Sequence, residues 1–485
     1  MRYNSLLDEM SSQIFLASGI IAVVGIYQAT KNRKSSADGD AYTNFNHPEK
    51  CLMDKLLSTI FPLFLPLSKM AKQPSSKLCD GDKNEILNTI TEKFCKLADK
   101  GFQNKLEEYS NFLLEAFPSD CLVSGDVYIP RDPDILRKFG IPNVEEILCI
   151  STKPQDCGAE IVIHVTCPAT AIQGVSIIEE SGDLKSKGPK TFKACKLENI
   201  SFSKKAHLVL WFHGGGFVLG SARDEMAIAR ALHLMKWQVR HAKDKSFAPP
   251  IVFFSVEYRL GPQNPFPCAI IDGLSASSFL AEKFPSYPLH VAGLSAGGNL
   301  SAIVGLESHR KYPGKFKSIV ADVPMFEPTS ATESHRLNSQ SSGSCPVDFV
   351  RWCWAAYLQL EESNDNRKRI DFSSEASFTD AFDNSVWSKF MTSQASRLIS
   401  PASDLPDLSN DEEAPMIIVM TATADPLHDA GVDFFKCVRV ASKKCVHVES
   451  KGSHVLSNTF DKPAMKKIIE EWSSVFSVTA TTRES

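Results

Sequence analysis

Ser295 lies in Gly293-Leu294-Ser295-Ala296-Gly297, a Gly-x-Ser-x-Gly pattern. Small residues around a serine permit a sharp strand-to-helix turn that exposes the hydroxyl as a nucleophile. A serine hydroxyl is weak alone and needs a general base, itself oriented by an acid. In this arrangement the acid and then the histidine follow the serine along the chain. Five histidines come later: His309, His335, His428, His447 and His454. His309 falls on the helix expected after the serine, His335 in a polar stretch, and His428 at a helix start. His447 alternates with Val446 and Val448 and so faces away from them. His454 follows Gly452 on a loop after the last expected strand, at the sheet end where ligands bind. It is the expected base. Asp425 leaves the preceding strand in Thr423-Ala424-Asp425-Pro426-Leu427 and is the expected acid. Asp429 is the runner-up, better suited to charging a helix N-terminus.

A second stretch supplies what such a nucleophile requires. The apolar run from Leu208 to Phe212 stops at His213-Gly214-Gly215-Gly216-Phe217. Consecutive glycines leave backbone N–H groups bare and open to close approach. Bare amides at a strand end can hold the oxyanion of a tetrahedral intermediate. The expected donors are Gly215, Gly216 and Ala296, the last because it follows the serine. His213 and Gly214 are expected to support the loop rather than to transfer protons.

Stepping outward, strands are expected over 145–152, 161–166, up to Phe212, and over 251–258, 289–294, 317–323, 416–421 and 445–449. Helices are expected over 224–235, 267–284, 296–311, 349–360, 429–440 and 462–475. Alternating strands and helices imply a mostly parallel sheet covered on both faces. A polar insertion spans 170–205, and a Ser-rich block at 328–413 interrupts the alternation as an insertion or cap. Residues 83–117 carry apolar positions at helical spacing. The expected organisation is an apolar anchor with a basic flank over 1–34, a linker and helical cap region over 35–144, and a catalytic domain over 145–478.

The 485 residues can bury a large core, and a net charge of -4 gives no basic surface for nucleic acid. Thirteen cysteines without C-x-x-C pairs do not form a zinc or disulfide framework and fit a reducing compartment. No metal is expected. Residues 10–30 contain no charge and suit membrane attachment, with a cleaved signal or a packed helix as the alternatives. Lys31, Arg33 and Lys34 follow, which would put the bulk of the chain on the cytosolic side. The apolar run 56–67 is broken by Pro62 and Pro66.

Taken together, these motifs resemble the hormone-sensitive-lipase-like branch of the α/β-hydrolases. Glu257-Tyr258-Arg259-Leu260-Gly261-Pro262, then Pro265-Phe266-Pro267, is similar to the family's Tyr-Arg-Leu-Ala-Pro segment. Trp352-Cys353-Trp354 with Tyr357-Leu358 resembles its cap-side helix, and Ser400-Pro401 and Asp425-Pro426-Leu427 also match. The resemblance covers roughly 145–475. It implies an α/β-hydrolase fold with an eight-stranded sheet and a cap from N-terminal helices and an insertion. It also implies carboxylic ester hydrolysis without a cofactor, on an ester substrate that is hydrophobic or lipid-like. Amide hydrolysis or deacetylation would use the same residues. A non-catalytic receptor on the same scaffold, like the gibberellin receptors that lack the histidine, is the remaining alternative. The anchored arylacetamide-deacetylase-like members share the layout but have a lumenal catalytic domain; that likeness implies an endoplasmic reticulum membrane and a lumenal domain here, against the cytosolic side that the flanking charge suggests. Two features depart from the family. Leu294 stands where many relatives have Asp, and Gly452-Ser453-His454-Val455 is one residue tighter than the usual loop.

Overall fold

The structure is a computed structural model, and it describes residues 122–150, 158–173, 177–178, 190–192, 195–224, 230–235, 249–338, 345–360, 370–454 and 462–481. The expected anchor over 10–30, the apolar run 56–67 and the helices over 83–117 lie outside them. Among the described residues no helix is long and apolar enough to cross a membrane.

Eight strands build the main sheet: β1 (Leu122–Pro130), β2 (Glu160–Pro168), β3 (His207–Phe212), β4 (Ile251–Val256), β5 (Leu289–Leu294), β6 (Phe316–Asp322), β7 (Met416–Ala422) and β8 (Cys445–Ser450). Their spatial order is β8-β7-β6-β5-β3-β4-β2-β1, and three short strands extend the β1 edge. From β4 to β8 the pairs are parallel, while β2 runs antiparallel to both neighbours. The fold is that of an α/β-hydrolase. Every residue of β3, β4 and β5 is buried. That matches their unbroken apolar sequences, because a central parallel strand is covered on both faces.

Helix α1 (Cys268–Lys283) connects β4 to β5, and α2 (Ala296–Lys311) follows β5 at once. The 328–413 block contains α3 (Val347–Leu358) and several shorter helices. Helices α4 (His428–Ala441) and α5 (Lys462–Thr481) complete the chain. Strand β3 connects to β4 on one side, and the chain then returns to place β5 on the other. The loops after β3 and β5 therefore part at a topological switch point, where open α/β sheets form a crevice.

Two expectations need correction. Of residues 145–152, expected as a strand, 145–150 belong to a helix over Val144–Ile150, and 151–152 lie outside the described residues. Val144 and Ile147 are buried while Glu145, Glu146 and Cys149 are exposed, the three-residue spacing of a helical face. The sheet also starts earlier, at β1, within the stretch expected as cap. Strand β1 pairs with β2 along its whole length. Gly125 and Asp126 interrupt its alternation with residues that strands disfavour, which hides Val123, Val127 and Ile129. The expected helix over 224–235 is present at 230–235, with 225–229 outside the described residues.

One buried charge cluster ties α1 to the end of β4. Asp272, fully buried, accepts from Arg131 Nε at 2.8 Å and from Arg259 Nε and backbone N at 2.9 Å each. Removing the carboxylate would take away the negative charge that the two guanidinium groups share. Asp272→Ala is expected to destabilise the protein by about 3–5 kcal/mol, read as a fall in the urea midpoint.

Candidate active site

Ser295 stands between β5 and α2 with φ 59° and ψ -118°. A non-glycine residue at such a φ is strained by about 1–3 kcal/mol and persists only where its surroundings impose it. They do so here. A Cβ at Gly293 would meet Gly297 O at 2.1 Å, and one at Gly297 would meet Phe212 O at 2.1 Å. Only glycine fits at either position. Ser295 N donates to Asp322 O at 2.8 Å, and Met325 N donates to Ser295 O at 3.2 Å. Asp322 is itself paired with Arg230, whose Nε lies 2.9 Å from Oδ2, both side chains being buried.

The three side chains singled out in the sequence come together. His454 Nε2 is 2.9 Å from Ser295 Oγ, and His454 Nδ1 is 2.7 Å from Asp425 Oδ2. A carboxylate can only accept, so Nδ1 carries the proton and Nε2 is free to accept from the serine hydroxyl. Asp425 is 1% exposed and His454 4%, so the line of hydrogen bonds is shielded from water. Their loops are stitched together behind them. Thr423 N donates to Ser450 O at 3.0 Å and Ala424 N to Gly452 O at 2.8 Å. The second Asp425 oxygen accepts from Leu427 N at 2.9 Å.

The other histidines have separate partners. His309 meets Asp411 at 2.8 Å, and His447 meets Thr421 Oγ1 at 2.8 Å. His428 bridges Asp429 and Glu449 at 3.0 Å each. Asp429 does not face His454. Its Oδ2 accepts from Ser334 N at 2.7 Å, and Ser334 Oγ donates to Pro426 O at 2.7 Å. Asn338 Nδ2 donates to Asp425 O at 3.2 Å. The insertion thus holds the loop that carries Asp425. Sequence reasoning missed Ser334 and Asn338, since nothing local marks a polar residue in a Ser-rich block as a loop support.

Gly215 and Gly216 adopt φ 114° and 62°. Among the described residues, no protein acceptor takes the amides of Gly215, Gly216 or Ala296. His213 packs beside this loop. Its ring stacks on Tyr258 at 4.1 Å, Tyr258 Oη donates to His213 O at 2.9 Å, and His213 Nδ1 donates to Gly214 O at 2.7 Å. The Tyr-Arg-Leu-Gly-Pro stretch now has a physical role. Tyr258 carries His213, Arg259 anchors to Asp272, and Gly261 N donates to Phe217 O at 2.8 Å.

Residues 209–382 match a family described as of alpha/beta hydrolase fold. The chain is 29% identical over 231 residues to an arylesterase of Saccharolobus solfataricus, covering 46% of this chain and 59% of that protein. It is also 29% identical over 169 residues to the gibberellin receptor GID1A of Arabidopsis thaliana, covering 33% of this chain and 44% of that one. Each match spans less than two thirds of the relative's own length. A hyperthermophilic esterase from Pyrobaculum calidifontis is similar in structure, with a TM-score of 0.48 and 19% identity over 88% of this chain and 98% of that one. The family match agrees with the α/β-hydrolase fold read from the order of the strands.

Burial holds the pKa of His213 down to about 4, and that of His335 likewise to about 4. An unfolded chain protonates each histidine below about pH 6.5, whereas the folded chain does so only below about 4. Each therefore contributes stability that is present at neutral pH and lost as pH falls through that window, about 3 kcal/mol apiece. Urea midpoints measured from pH 7 to pH 4.5 should decline, and the decline should be shallower in His213→Asn.

Proposed function

We propose that the protein is a serine hydrolase that cleaves carboxylic esters through an acyl-enzyme. One observation carries this reading: hydroxyl, imidazole and carboxylate stand in line at 2.9 and 2.7 Å, beside amides with no protein acceptor among the described residues. Ser295 attacks the ester carbonyl while His454 takes its proton. Asp425 keeps the imidazole in the right tautomer and stabilises its cation. The amides of Gly215, Gly216 and Ala296 receive the oxyanion. His454 then protonates the leaving alcohol, and water repeats the sequence on the acyl-enzyme. Each step uses only the protein and water.

The substrate is read as a hydrophobic or lipid-like ester. The uncharged stretch over 10–30 supports this, and with it membrane attachment of the chain. An amide substrate would use the same groups and differ in the leaving atom. A receptor reading draws support from the likeness to GID1A. Against it stands a complete Ser-His-Asp line, which binding alone does not require.

A fluorophosphonate probe is expected to label Ser295, and p-nitrophenyl butyrate to be turned over. Both are lost in Ser295→Ala. Asp425→Asn should lower kcat by about 10,000-fold. Asp429→Asn, which leaves His454 its partner, should cost far less. A folded protein that neither labels nor turns over ester would exclude the enzyme reading.

A further inference from the structure

We propose that Cys353, on α3 of the insertion, is a positioning residue that sets the geometry of the oxyanion amides through direct packing on Gly216. This rests on the ester-hydrolase reading above. A Cβ added at Gly216 would lie 2.3 Å from Cys353 Sγ and 2.9 Å from its Cβ. The cysteine therefore fills the space that glycine leaves. On its other side the loop is closed by its own turn, for Val218 N and Leu219 N both donate to Gly215 O. A Cβ at Gly215 would meet Leu219 O at 2.2 Å. The two amides are clamped between that turn and α3.

The neighbouring contacts make α3 a firm backing. Phe217, at φ 65°, lies parallel to Tyr357 with ring centres 4.1 Å apart, and against Trp354 at 5.3 Å. Phe266 N donates to Tyr357 O at 2.8 Å. A helix pinned at Trp354 and Tyr357 cannot yield to a larger side chain at 353, so added bulk is passed to the Gly216 peptide. Cys353 is 1% exposed, and burial pushes its thiol pKa well up. It acts as a neutral packing atom of fixed size, not as a nucleophile.

The test is a size series at position 353, read by kcat and KM on a short ester, with fluorophosphonate titration of Ser295 and thermal melting of each variant. Cys353→Ser, close in size, should stay within about threefold of wild type, while Cys353→Met should lose on the order of 100-fold in kcat with little change in KM. A packing role alone would lower the melting temperature without that split. A size swap gives an independent reading. Gly216→Ala should lose on the order of 100- to 1000-fold, and Gly216→Ala combined with Cys353→Gly should recover at least about tenfold of it. A folded Cys353→Met with wild-type kcat would overturn the proposal, as would a folded double variant no better than the single one. Wild-type protein that neither hydrolyses ester nor labels would sink the underlying reading and this role with it.

Discussion

Ser295 holds a backbone conformation that its own Cβ disfavours, and the fold leaves it no other. The turn is so tight that the carbonyls of Phe212 and Gly297 occupy the space a side chain would need at positions 297 and 293. Those carbonyls belong to the end of β3 and the first turn of α2. Hence the strand that leads into the glycine loop and the helix that begins at Ser295 are in backbone contact. Ser295 and the glycine loop are thereby linked through main chain. The remaining constraints act on this junction. Asp322 and Arg230 brace it from β6, and Tyr258 braces it from the end of β4 through His213.

The insertion takes part in this scaffold. Asn299 lies on α2 one turn after the serine, and its Nδ2 donates to Met325 O at 2.9 Å and to Ile399 O at 2.7 Å. Ser334 and Asn338 hold the Asp425 loop, and α3 backs the glycine loop. Three separate parts of one block therefore reach two loops of the site and the helix that follows Ser295. A cap that only covered a cleft would have no need of hydrogen bonds to the main chain around Asp425.

Much of this could be read from the residues themselves, where the signal was local. Strands β5 and β7 and helices α2 and α4 announce themselves by apolar runs or periodicity, and Gly-x-Ser-x-Gly states its own geometry. The order of Ser295, Asp425 and His454 needed only the rule that the loops leave the same sheet edge. Strand β1 was hidden because Gly125 and Asp126 break its pattern, and its stability comes from pairing with β2 rather than from propensity. The helix over Val144–Ile150 was mistaken for a strand because four apolar residues in a row carry no period. The supports from Ser334, Asn338 and Cys353 depend on pairings across long stretches of chain, which no local pattern encodes. The tighter loop at Gly452, by contrast, is accommodated: its φ of 117° turns the chain sharply enough to bring His454 to the serine.

Two histidines lie near the Asp425 carboxylate, and His454 is the one that bonds to it. Asp425 raises the proton affinity of His335, yet desolvation outweighs it and keeps that imidazole neutral. Its Nδ1 is moreover engaged with Thr332 Oγ1 at 2.6 Å. His454 instead bonds Asp425 directly at 2.7 Å, while the other carboxylate oxygen accepts from Leu427 N at 2.9 Å. The burial that keeps His335 neutral therefore leaves no imidazolium there to share the Asp425 carboxylate with His454.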